Sequence, residues 1–206
     1  MAGSSLSAFK QAVFCGKIGN SVLYWMSKSE KGAACPRPSG RKNIFMTYEE
    51  MCREVRQANL VLVGIGEDLG EAPEGLYRSL SGLLEKKDYF IVTLQGRREL
   101  EAAGLQAEQI TAPLADGEDM SSWDRYLNWL SFTLNQKLCI LELGVGFQKP
   151  ETIRFPFEKT CYFNQKSTYI RIHDRLWQLS AEIADRGVSI RQAPAEFFAE
   201  NKGELQ

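Results

Sequence analysis

Apolar positions along this chain fall into two alternating periods. Thr47-Tyr-Glu-Glu50 has the form of a capping box, and Met51, Val55 and Leu60 follow at roughly helical spacing, so a short helix should lead into the apolar run Leu60 to Val63. In APEGLYRSLSGLLEKK, Leu76, Leu80, Leu83 and Leu84 mark one helical face, and YFIVTL then reads as a second strand. RRELEAAGL supplies a short helix closed by Gly104, and QITAPL a shorter third strand. Ser121-x-x-Asp124 opens a helix in which Trp123, Leu127, Leu130 and Leu134 line one side, delivering the chain to the strand Leu138 to Leu143. ETIRFPFEKTCYFN, STYIRI and GVSI continue the alternation to a last short helix, PAEFFAEN. Strands apolar on both faces, alternating with helices, predict an α/β fold: a largely parallel sheet covered on both sides.

Two of these strands end alike. Leu60 to Val63 runs into Gly64-x-Gly66, and Leu138 to Leu143 runs into Gly144-Val145-Gly146. Ligands of open parallel sheets bind at the carboxyl ends of strands where the strand order reverses, so both turns stand where a nucleotide could sit. Glycine after a strand is equally the ordinary start of a tight turn. Residues 1–46 differ from the rest: rich in Ser, Gly, Lys and Arg, they end in KGAACPRPSGRKN and read as a partly helical or looped preamble to one domain over 47–206.

A length of 206 residues suits one α/β domain. Lys and Arg total 25 against 26 for Asp and Glu, so no global positive charge draws the protein to nucleic acid or anionic lipid. The five cysteines are widely spaced and never form Cys-x-x-Cys, which speaks against a disulfide framework or a zinc ribbon and for buried thiols in a reducing cytoplasm. No apolar run approaches the ~18 residues of a membrane span. The expectation is a cytoplasmic protein without a metal, a membrane or a nucleic acid among its partners.

LELGVGFQKPETIRFPFEKTCYFNQKSTYIRI, Leu141 to Ile172, resembles the C-terminal half of sirtuin-like proteins, especially the bacterial branch that lacks the zinc module. NLVLVGIGEDLG then looks like that family's first strand and glycine loop, and KKDYFIVTLQGRRELEAAGL like its second strand and helix. The resemblance extends over 48 to 200 and is specific over 138 to 172. It implies a Rossmann-like fold of the sirtuin and deoxyhypusine synthase type, with no zinc module, and NAD-dependent lysine deacylation or ADP-ribosyl transfer. It also implies that Gly64, Gly66, Gly144, Val145, Gly146 and His173 lie at the cofactor, NAD or ADP-ribose.

The chain departs from the family where the chemistry is done. Thr93-Leu-Gln95-Gly-Arg97 stands in place of the Asn-x-Asp pair, and Leu114 falls at the position of the general base. Gln95 could mimic the lost amide, but a guanidinium at Arg97 cannot accept hydrogen bonds from a ribose. Glu67 and Asp68 replace small residues after the first turn; there they should cap the following helix and repel a pyrophosphate. His173, the one histidine, reads as a surface or supporting residue, with a ribose contact as its functional alternative. Glu142, inside an apolar strand, is either a carboxylate aimed at a ribose or a neighbouring Arg, or part of a structural ion pair or hydrogen bond at the sheet edge, and Arg154 either meets a phosphate or, more cheaply, pairs with Glu151 or Glu158. Phe155, Phe157, Tyr162 and Phe163 should pack helices on the sheet.

The reading is a degenerate sirtuin-like protein that binds NAD, ADP-ribose or a related nucleotide without deacylase activity, with no residue assigned a firm catalytic role. One alternative is an active NAD-consuming enzyme, a hydrolase, ADP-ribosyltransferase or deacylase, using Glu67, Asp68, Glu142 or Gln95 in a changed mechanism. A second is a scaffold that contacts an unidentified protein and binds no ligand. Residues 1–46 are a candidate plug for the pocket.

Overall fold

The computed structural model describes residues 46–115, 117 and 120–199; the candidate plug lies almost wholly outside them. Helix α1 (Tyr48–Gln57) opens on the expected capping box, with Glu50 N donating to Thr47 Oγ1 at 3.2 Å and Thr47 N to Glu50 Oε2 at 2.8 Å. At its other end Lys87 Nζ donates to the carbonyls of Arg56 and Ala58, at 2.6 and 2.9 Å, answering carbonyls that a helix end leaves open. Strand β1 (Leu60–Ile65) follows, then α2 (Glu74–Leu84), β2 (Asp88–Thr93), α3 (Arg98–Ala102) and β3 (Ile110–Thr111). The second half runs α4 (Ser121–Ser131), β4 (Leu138–Leu143), α5 (Arg154–Phe163), β5 (Thr168–Ile172), β6 (Gly187–Ile190) and α6 (Pro194–Ala199).

The six strands form one sheet in the order β3-β2-β1-β4-β5-β6, every pair parallel. This is an α/β sheet of Rossmann type, and its order reverses between β1 and β4. Successive residues of a strand face opposite sides. Val61, Val63, Ile65, Leu141, Leu143, Ile170 and Ile172 share one buried cluster with Met51 and Val55 of α1, Leu76, Leu80 and Leu84 of α2, and Phe197 and Phe198 of α6. Each such aliphatic side chain withdrawn from water contributes about 1.5–3 kcal/mol. On the other face Phe90 packs on Tyr126 of α4, ring centres 5.5 Å apart, and α5 lies over Gly64.

Two expectations about helix faces are corrected. Helix α4 buries Ser122, Tyr126 and Leu130, while Trp123 and Leu127 lie at its margin; the stripe turns toward Phe90 and Thr111, whose hydroxyl meets that of Ser122 at 2.9 Å. Of the α5 aromatics only Phe157 is buried; Phe155, Tyr162 and Phe163 are about half exposed. Phe157 faces the sheet because Gly64 beneath it has no side chain. Among the described residues no helix is long and apolar enough to cross a membrane, and no group of three His, Cys, Asp or Glu side chains could hold a metal ion.

Candidate functional site

The carboxyl edges of β1 and β4 bring the two glycine turns together. Gly66 N donates to Leu143 O and Asp68 N to Gly144 O, both at 2.9 Å. A Cβ on Gly66 would lie 2.2 Å from Gly144 O, and one on Gly144, whose φ is +61°, would lie 2.2 Å from Asp68 O. Backbone has no room to yield at such distances. Side chains fill the space beside the outer two glycines: Ile153 Cγ2 would lie 2.4 Å from a Cβ on Gly64, and Glu67 Oε1 2.3 Å from one on Gly146. All four glycines therefore serve packing of the protein against itself. The amides of Gly66 and Asp68 are already bonded within it, so the first turn is not the open amide cradle that holds a pyrophosphate.

Glu67 and Asp68 do not cap α2, contrary to the sequence expectation. That helix starts at Glu74 behind Pro73, six residues beyond Asp68, and has no side-chain cap. Glu67 turns instead toward Gly146, where its Oε2 is buried without a hydrogen-bond partner. Asp68 reaches the loop after β5: its Oδ2 accepts from Arg175 Nη2 at 3.0 Å and lies 3.4 Å from His173 Nε2. Arg175 is 70% exposed and Asp68 33%, so the pair contributes no more than about 0–1 kcal/mol and weakens with salt.

His173 is wholly buried rather than at the surface. Its backbone N–H donates to Ile190 O at 3.1 Å, which extends the β5–β6 pairing and turns the ring inward. Nδ1 lies 2.8 Å from Asp174 Oδ1 and receives the backbone N–H groups of Arg175 and Leu176 at 3.2 and 3.3 Å. Nε2 points at Asp68 but has no hydrogen-bond partner. Burial works to raise the Asp174 carboxyl; the hydrogen bond and charge of His173, with the backbone and guanidinium of Arg175, outweigh it and hold the group below its usual value.

Glu142 lies at the centre of a separate buried network. It sits beside Arg171 in the β4–β5 register and beside Gly64 in the β1–β4 register. Arg171 grips it with two hydrogen bonds of 2.8 Å, Nε to Oε1 and Nη2 to Oε2; Arg154 Nη2 donates to Oε1 at 2.9 Å, and the Tyr169 hydroxyl donates to Oε2. Glu158 takes Arg171 Nη2 at 2.6 Å, so two carboxylates balance two guanidinium groups. Burial, and then the Glu142 charge, push the Tyr169 hydroxyl well above the ordinary tyrosine range, which keeps it a donor. The arginines also pin the rim: Arg154 donates to the carbonyls of Val145 and Leu176, and Arg171 to that of Gln178. Val145 itself is buried.

Of the alternatives open in the sequence, the ion pair describes Glu142, at the middle of the sheet and not at an edge. Arg154 pairs with Glu142, in place of Glu151 or Glu158. Gln95 is engaged too: its Nε2 donates to Gly66 O at 3.0 Å and its Oε1 accepts from Tyr77 O–H at 3.2 Å. Both candidate catalytic side chains thus spend their polar atoms inside the protein. Sequence reasoning did not single out Arg171, Tyr169, Asp174 or Arg175. An arginine inside the apolar run STYIRI was the available signal for the first, since a charge there needs a partner.

Comparison of the sequence with protein-family models and with curated proteins gives no match.

Proposed function

We propose that this protein is a degenerate sirtuin-like binding module that takes a nucleotide, NAD, ADP-ribose or a relative of them, at the rim of the sheet beyond the carboxyl ends of β1 and β4 and performs no deacylation. The observation that carries the reading is the meeting of three features at the reversal point of a six-stranded parallel sheet: the two glycine turns, the charged pair Asp68 and Arg175, and a buried histidine whose Nε2 has no hydrogen-bond partner. A buried polar atom without a partner costs free energy, and a ligand is one reason to keep it.

The residues fit a nucleotide only in part. With the turn amides used internally and Glu67 and Asp68 beside them, a pyrophosphate is not held by the glycine turn as in open dinucleotide folds. Ligand contacts fall instead to the rim, to His173, Arg175 and Glu67. The non-catalytic part of the reading rests on the internal engagement of Gln95 and Glu142 and on Arg97 where the family has a carboxylate.

Calorimetric titration of the full-length protein with NAD and with ADP-ribose tests this, accompanied by an assay for released nicotinamide. Micromolar binding without release is expected. Release would restore the enzyme reading, and absence of heat with either ligand would leave a scaffold for protein contacts, a reading to which the half-exposed Phe155, Tyr162 and Phe163 lend support.

A further inference from the structure

The rim has a feature that the nucleotide reading does not use. Arg175 and His173 converge on a single carboxylate oxygen, Asp68 Oδ2, at 3.0 and 3.4 Å. A guanidinium and an imidazole at the carboxyl edge of a reversal point make an anion seat, and here the anion belongs to the chain.

We propose that Asp68 acts as an internal occupant of a phosphate seat, and that the phosphate monoester of a mononucleotide takes its place on Arg175 and His173. This rests on the nucleotide reading above and narrows its ligand to a relative of NAD that ends in a phosphate monoester, a group that NAD and ADP-ribose themselves lack.

Three observations carry it. The side chain is free to leave: the backbone around it is fixed independently by Asp68 N donating to Gly144 O at 2.9 Å and by Ala195 N donating to Leu69 O at 2.8 Å, so rotation about the Asp68 side chain disturbs no strand or turn. The contact it makes is poor on one side, because His173, fully buried, faces Asp68 with an Nε2 that forms no hydrogen bond. A phosphate brings several strong acceptor oxygens where the carboxylate presents one, and can accept from the guanidinium and the imidazole together. The charge around the seat explains why a phosphate would not enter unaided. Asp68 and Asp174 face Arg175 and His173, and Glu67 Oε1 and Asp68 Oδ2 both converge on Gly146, 2.3 and 3.7 Å from where a Cβ would stand. While Asp68 stays, the rim holds more acid than base and repels a dianion. Asp68 is thus a gate on anion binding, set by its own charge.

Substitution Asp68→Asn removes that charge and keeps the shape. The test is calorimetry of wild type and Asp68→Asn with AMP, with adenosine and with inorganic phosphate, at low and moderate salt. The variant should bind AMP at least tenfold more tightly than wild type, with affinity falling as salt rises, while adenosine binds both alike. A second substitution, Arg175→Ala in the Asp68→Asn background, should cancel the gain. Gain with inorganic phosphate alone would still support the seat and identify free phosphate as its occupant. Equal AMP affinity in wild type and variant, or a gain that survives Arg175→Ala, overturns the proposal. The nucleotide reading is judged separately, by whether wild type binds NAD or ADP-ribose. Far-UV circular dichroism of both variants confirms that they fold.

Discussion

Single residues in this fold are bound by how many partners one buried charge can serve. Glu142 holds two guanidinium groups and a phenol, so truncating it leaves the buried Arg154 without a carboxylate and Arg171 with Glu158 alone. Glu142→Ala should cost about 3–5 kcal/mol in urea unfolding, the range for breaking a buried pair by removing one partner. A Glu142 facing substrate instead would leave the unfolding midpoint nearly unchanged, and that result would refute the structural assignment. Tyr48 offers a pH-dependent counterpart. Burial first, and then the nearby Cys52, push its hydroxyl up to about 12. A folded value above the unfolded one, about 10, means the unfolded chain loses its proton first; this contribution to stability is complete below about pH 10 and is lost as pH rises toward the folded value. Tyr48→Phe should flatten the fall in the urea midpoint between about pH 10 and 12, and an unchanged slope would remove Tyr48 from the account.

At the scale of elements, the helices show which local signals survive packing. The Thr47–Glu50 box closes on itself within four residues and needs nothing from the sheet. Thr47→Ala should therefore cost about 1 kcal/mol by loss of the cap, read as a lower thermal midpoint with the far-UV spectrum retained. Carboxylates after a glycine turn are a weaker signal. Glu67 and Asp68 resemble N-terminal helix residues in sequence, yet α2 starts at Glu74, because the intervening segment crosses to meet Gly144 and the loop after β5. The α5 segment misleads in a similar way. Its aromatic residues suggest a buried helix, but a helix lying on a sheet buries one stripe, and Phe157, seated over Gly64, takes that place while Phe155 and Tyr162 face outward.

Across the whole molecule, strand type and order of elements were legible in the sequence because they follow from period and punctuation over a few residues at a time. The parallel sheet with both faces covered follows from strands such as LVLVGI and LCILEL, which have no polar side to offer water. The two glycine turns were legible as turns, and their place at one edge follows from the alternation of strands and helices. What each residue does there was decided by tertiary structure. Gly66 and Gly144 are needed for each other, 2.2 Å being the clearance a Cβ would have. Glu142 and Arg171 are 29 positions apart and meet only because β4 and β5 are neighbours in register. Asp68 meets Arg175 across 107 positions for the same kind of reason. Sequence by itself determines the local periods, the caps and the burden of charge placed within apolar strands; the pairing of those charges depends on sheet order and register, which no local stretch encodes.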